Sequence, residues 1–410
     1  MIYFLYLCPV KDKEEKGKKM RILFLLSRFL DGGIDMVLID YLRHLAQDSS
    51  YSLTLAIATD MGTLEVFADR IPQNVTVVHM VKADCLTRWR KRKIKEQKLS
   101  LPVKLYDEIA LAPLRRFIVK RELKKLASNH DVIIDFDCCF YSFLQHIHVP
   151  KVAWFHFSFD QALQQNRRRT LRIGRRLQNY DRIVCISETM RQECEQLFPE
   201  LKKKLCVIYN AKDRDAILDR ASETLEDPRI RQPYLLAVER LEESQKDITT
   251  LLRAYSILRN QWHHTGPLYL LGKGHSEAYL RQLAVELDIA EYVVFLGFSN
   301  NPYPWIAHCQ LLVHSAKFEG LPTILIEGLM LDRMIVATDC PTGPQEILNR
   351  GKAGLLTPVG DEQAMAEAMH KMLTDKALQT QYLASLQEHR QLFMFSHTEK
   401  LFKQLINDII

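Results

Sequence analysis

Apolar residues along the chain fall into short unbroken runs, separated by longer stretches that carry apolar positions at helical spacing. Residues 21–26 (Arg-Ile-Leu-Phe-Leu-Leu) form the first such run. A strand that is apolar on both faces suits the interior of a parallel sheet. The turn Asp31-Gly32-Gly33 follows. Val37, Leu38, Tyr41, Leu42 and Leu45 then recur as one face of a helix. The alternation continues with strands at 52–58, 75–80, 131–136, 151–156, 182–187 and 204–209, and a helical piece at 63–68. A second series opens at 234–238 and runs through 268–271, 293–296, 311–314 and 334–337, with helices at 249–259 and 276–287. Residues 362–408 read as helix only. Two successive strand–helix series predict an α/β chain of two Rossmann-like, doubly wound parallel-sheet domains. The first is expected over 20–213 and the second over 233–385, joined by a polar, weakly patterned linker at 214–232, with 386–410 as a terminal helix.

At 410 residues the chain can bury two ordinary cores. Apolar and charged fractions of 47% and 26% exclude a disordered or fibrous chain. The net charge of +6 is unevenly placed, in basic runs at 88–98, 115–125 and 167–176. The long interval 82–129 is basic, and 111–126 alternates apolar and basic residues as an amphipathic helix would. It reads either as a solvated helical face or as a surface for anionic lipid headgroups or an anionic acceptor. No nucleic-acid fold signature accompanies the charge, so no nucleic-acid partner is expected. Nine cysteines show no zinc-finger spacing, and Cys138 and Cys139 are adjacent, which points to reduced thiols in a cytoplasmic compartment. The first eight residues are apolar but too short to span a bilayer and lack a basic leader. Met20 is the expected functional start, with 1–19 a disordered extension.

The densest chemistry lies in 311–328, LLVHSAKFEGLPTILIEG. It reads as strand, tight turn and helix, with Pro322 at the helix start, where its missing N–H costs nothing. The helix's unpaired N–H groups face the carboxyl edge of the sheet, where α/β proteins bind ligands. Glu319 lies in the turn and Glu327 one helical turn in. Arg240 and Lys246 follow another strand, a cation pair suited to a diphosphate. Gly32-Gly33 and Gly272-Lys273-Gly274 are turns that permit close backbone approach. Phe298 closes Phe295-Leu296-Gly297-Phe298, and His156 ends the strand at 151–156. Each has a plainer reading: solvated acids, a surface ion pair, ordinary turns, a structural histidine. His79, His146, His148 and His314 are left as structural. No nucleophile elbow, Walker lysine loop or Gly-x-Gly-x-x-Gly fingerprint is present.

In their order along the chain these motifs resemble the family-four (group 1) retaining glycosyltransferases of the GT-B fold. The resemblance rests on Glu-x7-Glu around Gly-Leu-Pro, on Arg240-x5-Lys246, on Gly272-x-Gly274, and on the stretches 342–348 and 354–358. It covers roughly residues 20–374 and departs at Glu239 and Asp247, where the family commonly has glycine. It implies two domains facing across a cleft, the first for the acceptor and the second for a nucleotide sugar, with the terminal helix crossing back. Donor contacts would come from Gly33, Arg240, Lys246, Gly272, Phe298, Glu319, Gly320, Leu321, Pro322 and Thr323, with Glu327 on the ribose. Glu319, His156, Arg240 and Lys246 would carry the reaction, His156 facing the donor sugar. No metal and no cofactor are implied. Asp135-Phe136-Asp137 spells the metal motif of the unrelated GT-A fold, and the GT-B-like surroundings argue against that use. The implied reaction moves a sugar, from UDP for preference, to a hydroxyl of a glycan or glycolipid in cell-surface polysaccharide or lipopolysaccharide synthesis. A sugar-nucleotide-binding scaffold protein and a GT-B-like epimerase are the alternatives.

Overall fold

The structure, a computed structural model, describes residues 19–30, 32–96 and 99–410. The expected extension before Met20, all but Lys19, lies outside the described residues, as do Asp31 of the first turn and the end of the basic run at 88–98.

Seven strands build the first sheet: β1 (Met20–Leu26), β2 (Tyr51–Thr59), β3 (Thr76–Val81), β4 (Val132–Asp135), β5 (Lys151–Phe155), β6 (Arg182–Cys185) and β7 (Leu205–Val207). They are all parallel, in the order β3-β2-β1-β4-β5-β6-β7. Six more form a second parallel sheet: β8 (Leu235–Val238), β9 (Leu268–Leu271), β10 (Val293–Gly297), β11 (Leu311–His314), β12 (Ile335–Thr338) and β13 (Leu355–Thr357), ordered β10-β9-β8-β11-β12-β13. Helices cover both faces of each sheet, so Ile22 to Leu25 of β1 and Leu311 to Val313 of β11 are almost wholly inaccessible to water. That double cover is the reason these strands are apolar throughout. Strand order reverses between β1 and β4 and again between β8 and β11. Such switch points open a crevice beyond the strands' carboxyl ends.

Three local readings change. The piece at 63–68 is not a helix but two short 3₁₀ turns, Gly62–Leu64 and Ala68–Arg70. Six residues bounded by Gly62 and Pro72 are too few to support a helix without tertiary help. The interval 214–232 opens with a helix, Arg214–Ala221, whose start is capped by the Asp213 side chain accepting from Ala216 N. β13, three residues at the sheet edge, carries too little pattern to be seen in advance.

Several contacts tie the two domains together. Glu346 of the second domain accepts from Glu188 N (2.7 Å), Thr189 N (2.8 Å), Thr189 Oγ1 (2.7 Å) and Tyr209 Oη (2.9 Å). Its carboxylate thereby caps the positive end of helix Glu188–Leu197 of the first domain. Lys212, in the crossing segment, lies buried between Asp40 (2.9 Å) and Glu327 (2.8 Å). The returning chain runs beside it, with Lys212 N donating to Phe393 O at 2.8 Å. Helix Phe395–Asn407 then packs on the first domain, setting the rings of Phe395 and Phe402 5.4 and 6.5 Å from that of Tyr41. Removing the carboxylate by Glu346→Ala should lower stability by about 1.5–3 kcal/mol, the worth of a charged hydrogen-bond acceptor. Urea unfolding checks this, and small-angle scattering should show a larger radius of gyration.

Candidate active site

Between the domains, beyond the carboxyl ends of both sheets, lies a cavity of about 580 Å³. Its walls come from the start of helix Gly33–Leu45, the end of β5, helix Phe159–Leu177 with Arg169, the segment after β8, and the turn and helix start after β11. Gly33, His156, Arg240, Lys246, Glu319, Gly320, Leu321, Pro322 and Thr323 all line it. Residues 286 positions apart in sequence thus meet in one space because the two switch points face each other.

Gly272, Phe298 and Glu327 are placed otherwise. Gly272 has φ +151°, and a Cβ there would collide with the Glu239 carbonyl, so this glycine serves the packing of one strand end on another. Phe298 is 46% exposed, with Lys273 Nζ 6.0 Å from its ring centre. Glu327 turns its carboxylate to Lys212. None of the three is among the cavity-lining residues.

Glu319 is the centre of the charged chemistry. Lys246 Nζ lies 2.5 Å from its Oε1, and the side chains are only 12% and 11% exposed. Gln245 Nε2 reaches its Oε2 at 3.5 Å. Burial alone would raise the carboxyl pKa, but the Lys246 and His314 charges outweigh it and hold Glu319 at about 2. Lys246 is fixed from behind, its carbonyl accepting from Ser315 Oγ at 2.9 Å. The next residue, Asp247, takes left-handed angles (φ 50°, ψ 45°), a conformation that short polar side chains tolerate and glycine adopts freely. This accounts for one departure noted in the sequence. Arg240 is exposed at the cavity's edge, its guanidinium 3.4 Å from Gln245 Oε1.

His156 follows β5 on the opposite wall. Burial drives its imidazole pKa down to about 3, so the ring is neutral at physiological pH. A backbone hydrogen bond with Phe136 engages one ring nitrogen, and Nε2 has no partner among the described residues. Asn210 Oδ1, another cavity-lining group, is likewise buried and unpartnered among them. Unsatisfied buried polar atoms are uncommon, and two on one cavity wall mark a place where a ligand supplies the missing bonds. Gly320 passes so close to the His156 carbonyl that any Cβ would collide with it, so the two walls meet backbone to backbone. Gly33 has the reverse property: a Cβ there meets nothing within 4 Å, leaving open space beside its backbone at the cavity wall.

His314, read from sequence as structural, lies buried against two acids. Its Nε2 lies 3.3 Å from Glu319 Oε1 and its Nδ1 3.2 Å from Glu239 Oε2. The signal available beforehand was its place as the last residue of a strand just before the Glu319 turn. Asn210 gave no sequence signal at all. Asp135 and Asp137 are held in a turn: Asp135 accepts from Phe140 N (2.9 Å), Cys139 N (3.1 Å) and Tyr180 Oη (2.5 Å), Asp137 from Ser27 N (2.8 Å). Burial, and then the neighbouring Asp137, raise the Asp135 pKa to about 8.

Comparison with known proteins agrees with this geometry. Residues 32–216 match the family described as Glycosyltransferase Family 4, and residues 232–375 match Glycosyl transferases group 1. The N-acetylgalactosamine-N,N'-diacetylbacillosaminyl-diphospho-undecaprenol 4-alpha-N-acetylgalactosaminyltransferase of Campylobacter jejuni is 34% identical over 202 residues, 49% of this chain and 53% of that protein. The lipopolysaccharide core biosynthesis glycosyltransferase LpsE of Rhizobium meliloti is 27% identical over 202 residues, 49% of this chain and 56% of that one. The chain spans about half the length of these curated relatives. Among solved structures, Anabaena HepE in complex with UDP-glucose superposes with a TM-score of 0.74 at 17% identity, over 95% of this chain and 100% of that one. WaaG, a glycosyltransferase involved in lipopolysaccharide biosynthesis, does so with a TM-score of 0.65 at 15% identity, over 95% and 99%. These structural likenesses are of fold. With both domains matched and the same two-sheet architecture in its structural relatives, the chain belongs to the family-four, group 1 glycosyltransferases of the GT-B fold.

Proposed function

We propose that the protein transfers a sugar, with retention at the anomeric carbon, from a UDP-sugar to a hydroxyl of a glycan or glycolipid acceptor in lipopolysaccharide or cell-surface polysaccharide synthesis. The observation that carries this reading is the convergence of His156, Arg240, Lys246 and Glu319 on one interdomain cavity that also holds two unpartnered polar atoms. The UDP-glucose complex of HepE and the diphospho-undecaprenol named for the Campylobacter relative support the donor and the acceptor class.

Breaking the donor's glycosidic bond leaves negative charge on the departing diphosphate. Preorganised cations in a site shielded from water are the strongest means of stabilising it. Arg240 and Lys246 serve there together with the N–H groups at the start of helix Thr323–Met330. Glu319 receives the sugar's hydroxyls and faces the positive charge that develops on the ring. His156, neutral and with its free Nε2 lone pair, accepts a further hydroxyl. Among the described cavity-lining residues Glu319 is the one carboxylate, without the paired partner of a retaining hydrolase, so Glu319 is not assigned as a covalent nucleophile. The closed seam between Gly320 and His156 excludes water, the competing acceptor.

A glycolipid acceptor requires access to a membrane surface. Helices Leu101–Tyr106 and Ala112–Ala127, joined by one π turn, expose Leu101, Leu105, Tyr106, Ile109, Leu114 and Phe117 among lysines and arginines. Apolar side chains ringed by cations fit the headgroup layer of an anionic bilayer. We place the protein in the cytoplasm, docked peripherally through this face.

Arg240→Ala or Lys246→Ala should each weaken UDP binding by about 1.5–3 kcal/mol per charged hydrogen bond lost. Calorimetric titration without added metal measures it, and unchanged affinity in both variants rejects the diphosphate assignment. Glu319→Gln should keep UDP affinity and lose turnover, whereas a pure binding protein would keep its role. Sedimentation with anionic vesicles should pull the protein down at low salt and release it at high salt. The double variant Ile109→Ser, Phe117→Ser should remain in the supernatant.

A further inference from the structure

We infer that Glu239 and His314 form a buried positioning pair for Glu319, fixing which of its carboxylate oxygens is turned to the donor sugar. The inference rests on the glycosyltransferase reading above and assigns work to two residues outside it.

The geometry is a chain of four alternating charges at the carboxyl ends of β8 and β11. Glu239 Oε2 lies 3.2 Å from His314 Nδ1, His314 Nε2 lies 3.3 Å from Glu319 Oε1, and Lys246 Nζ lies 2.5 Å from that same oxygen. The Glu239 and His314 side chains are each 2% exposed. Neither Glu239 oxygen nor His314 Nε2 makes a well-aligned hydrogen bond among the described residues, so His314 holds both acids by charge at 3.2 and 3.3 Å. A buried carboxylate without a cation is costly enough that it would protonate instead. With His314 protonated, two acids face two cations and the cluster is neutral. With His314 neutral, Lys246 alone faces two acids.

This charge balance determines how Glu319 presents itself. Lys246 and His314 both draw on Oε1, whereas Oε2 is approached by Gln245 Nε2 at 3.5 Å. Oε2 is therefore the oxygen with lone pairs left for a sugar hydroxyl. His314 also shares the load on Glu319 with Lys246, whose other N–H bonds are then available to the diphosphate.

Every charged group around the imidazole bears on its titration. Glu239 faces it from the end of β8, Lys246 from the short helix Glu243–Lys246, and Glu319 from the turn after β11. Cys340, beyond β12, faces Glu319, and burial pushes its thiol up to about 12, so it stays uncharged. Burial opposes the imidazolium, but the two carboxylates prevail and raise the His314 pKa above its ordinary value. The cation is lost as pH rises through this raised pKa, so the working orientation of Glu319 fails on the alkaline side.

Two measurements on the full chain test this. Histidine-selective NMR should show the His314 ring titrating above the ordinary histidine range, and Glu239→Gln should lower that midpoint by about one pH unit. UDP-sugar turnover across pH should fall on an alkaline limb that Glu239→Gln shifts in the same direction. His314→Gln should lower kcat about ten- to a hundredfold, the cost of a misaligned group, with KM for the donor nearly unchanged. Glu239→Asp should restore most of the limb. An unmoved ring titration in Glu239→Gln overturns the pair. A moved titration with an unmoved kinetic limb overturns its action through Glu319. A folded wild type that binds no UDP and turns over no UDP-sugar, with the ring still titrating high, overturns the transferase reading instead and reduces the pair to structure.

Discussion

The carboxylate of Glu319 can be ionised in a nearly dry seam between two domains only because Lys246 and His314 both lie against it. That requirement fixes much of the second domain. Lys246 must end its short helix within reach of the β11 turn, which demands the left-handed Asp247 behind it. His314 must end β11 with its ring toward β8, which demands an acid at the end of β8. Removing either cation leaves a buried charge unbalanced, an effect larger than the loss of the contact itself. The site is therefore specified by charge stoichiometry as much as by shape.

The first domain contributes one charged side chain to the described cavity lining, Arg169, and much of the cavity's form. His156 is uncharged, Gly33 offers bare backbone, and Asn210 brings an amide oxygen with no partner among the described residues. An acid and two cations on one wall, and mostly neutral polar groups on the other, suit a ligand with an anionic end and a hydroxyl-rich end. Domain placement depends on other contacts, the ion pairs of Lys212 and the hydrogen bonds accepted by Glu346, which lie away from the cavity centre and hold the walls at their spacing.

Much of the fold was legible because strands buried on both faces must be apolar in unbroken runs. Those runs gave twelve of the thirteen strands; β13 escaped, being three residues at an edge. The segment 63–68 misled because its apolar spacing is helical but its length is not. At the site, Glu319, Lys246 and Arg240 could be found because strand-end charges beside helix starts have a direct chemical use. Glu327 could not be followed to its partner: its position on the helix was readable, yet Lys212 reaches it from a crossing segment 115 residues earlier. His314 and Glu239 were hidden for the same reason, since each is ordinary alone and their meaning lies in a pairing between neighbouring strands. Asn210 is a loop residue whose lack of a partner exists only in three dimensions.

The chain crosses between its domains twice, and the two crossings are hydrogen-bonded side by side through Lys212 N and Phe393 O. A paired ribbon resists stretching and shear but twists readily, so it behaves as a single pivot rather than two independent tethers. Relative motion of the domains is thereby reduced to rotation about one axis, with the Gly320–His156 seam at the far end of the lever. A few degrees at the pivot would open the cavity mouth, while the register of the two walls is recovered on every closure. The accuracy with which Gly320 meets the His156 carbonyl is then a property of the hinge, set far from the seam itself.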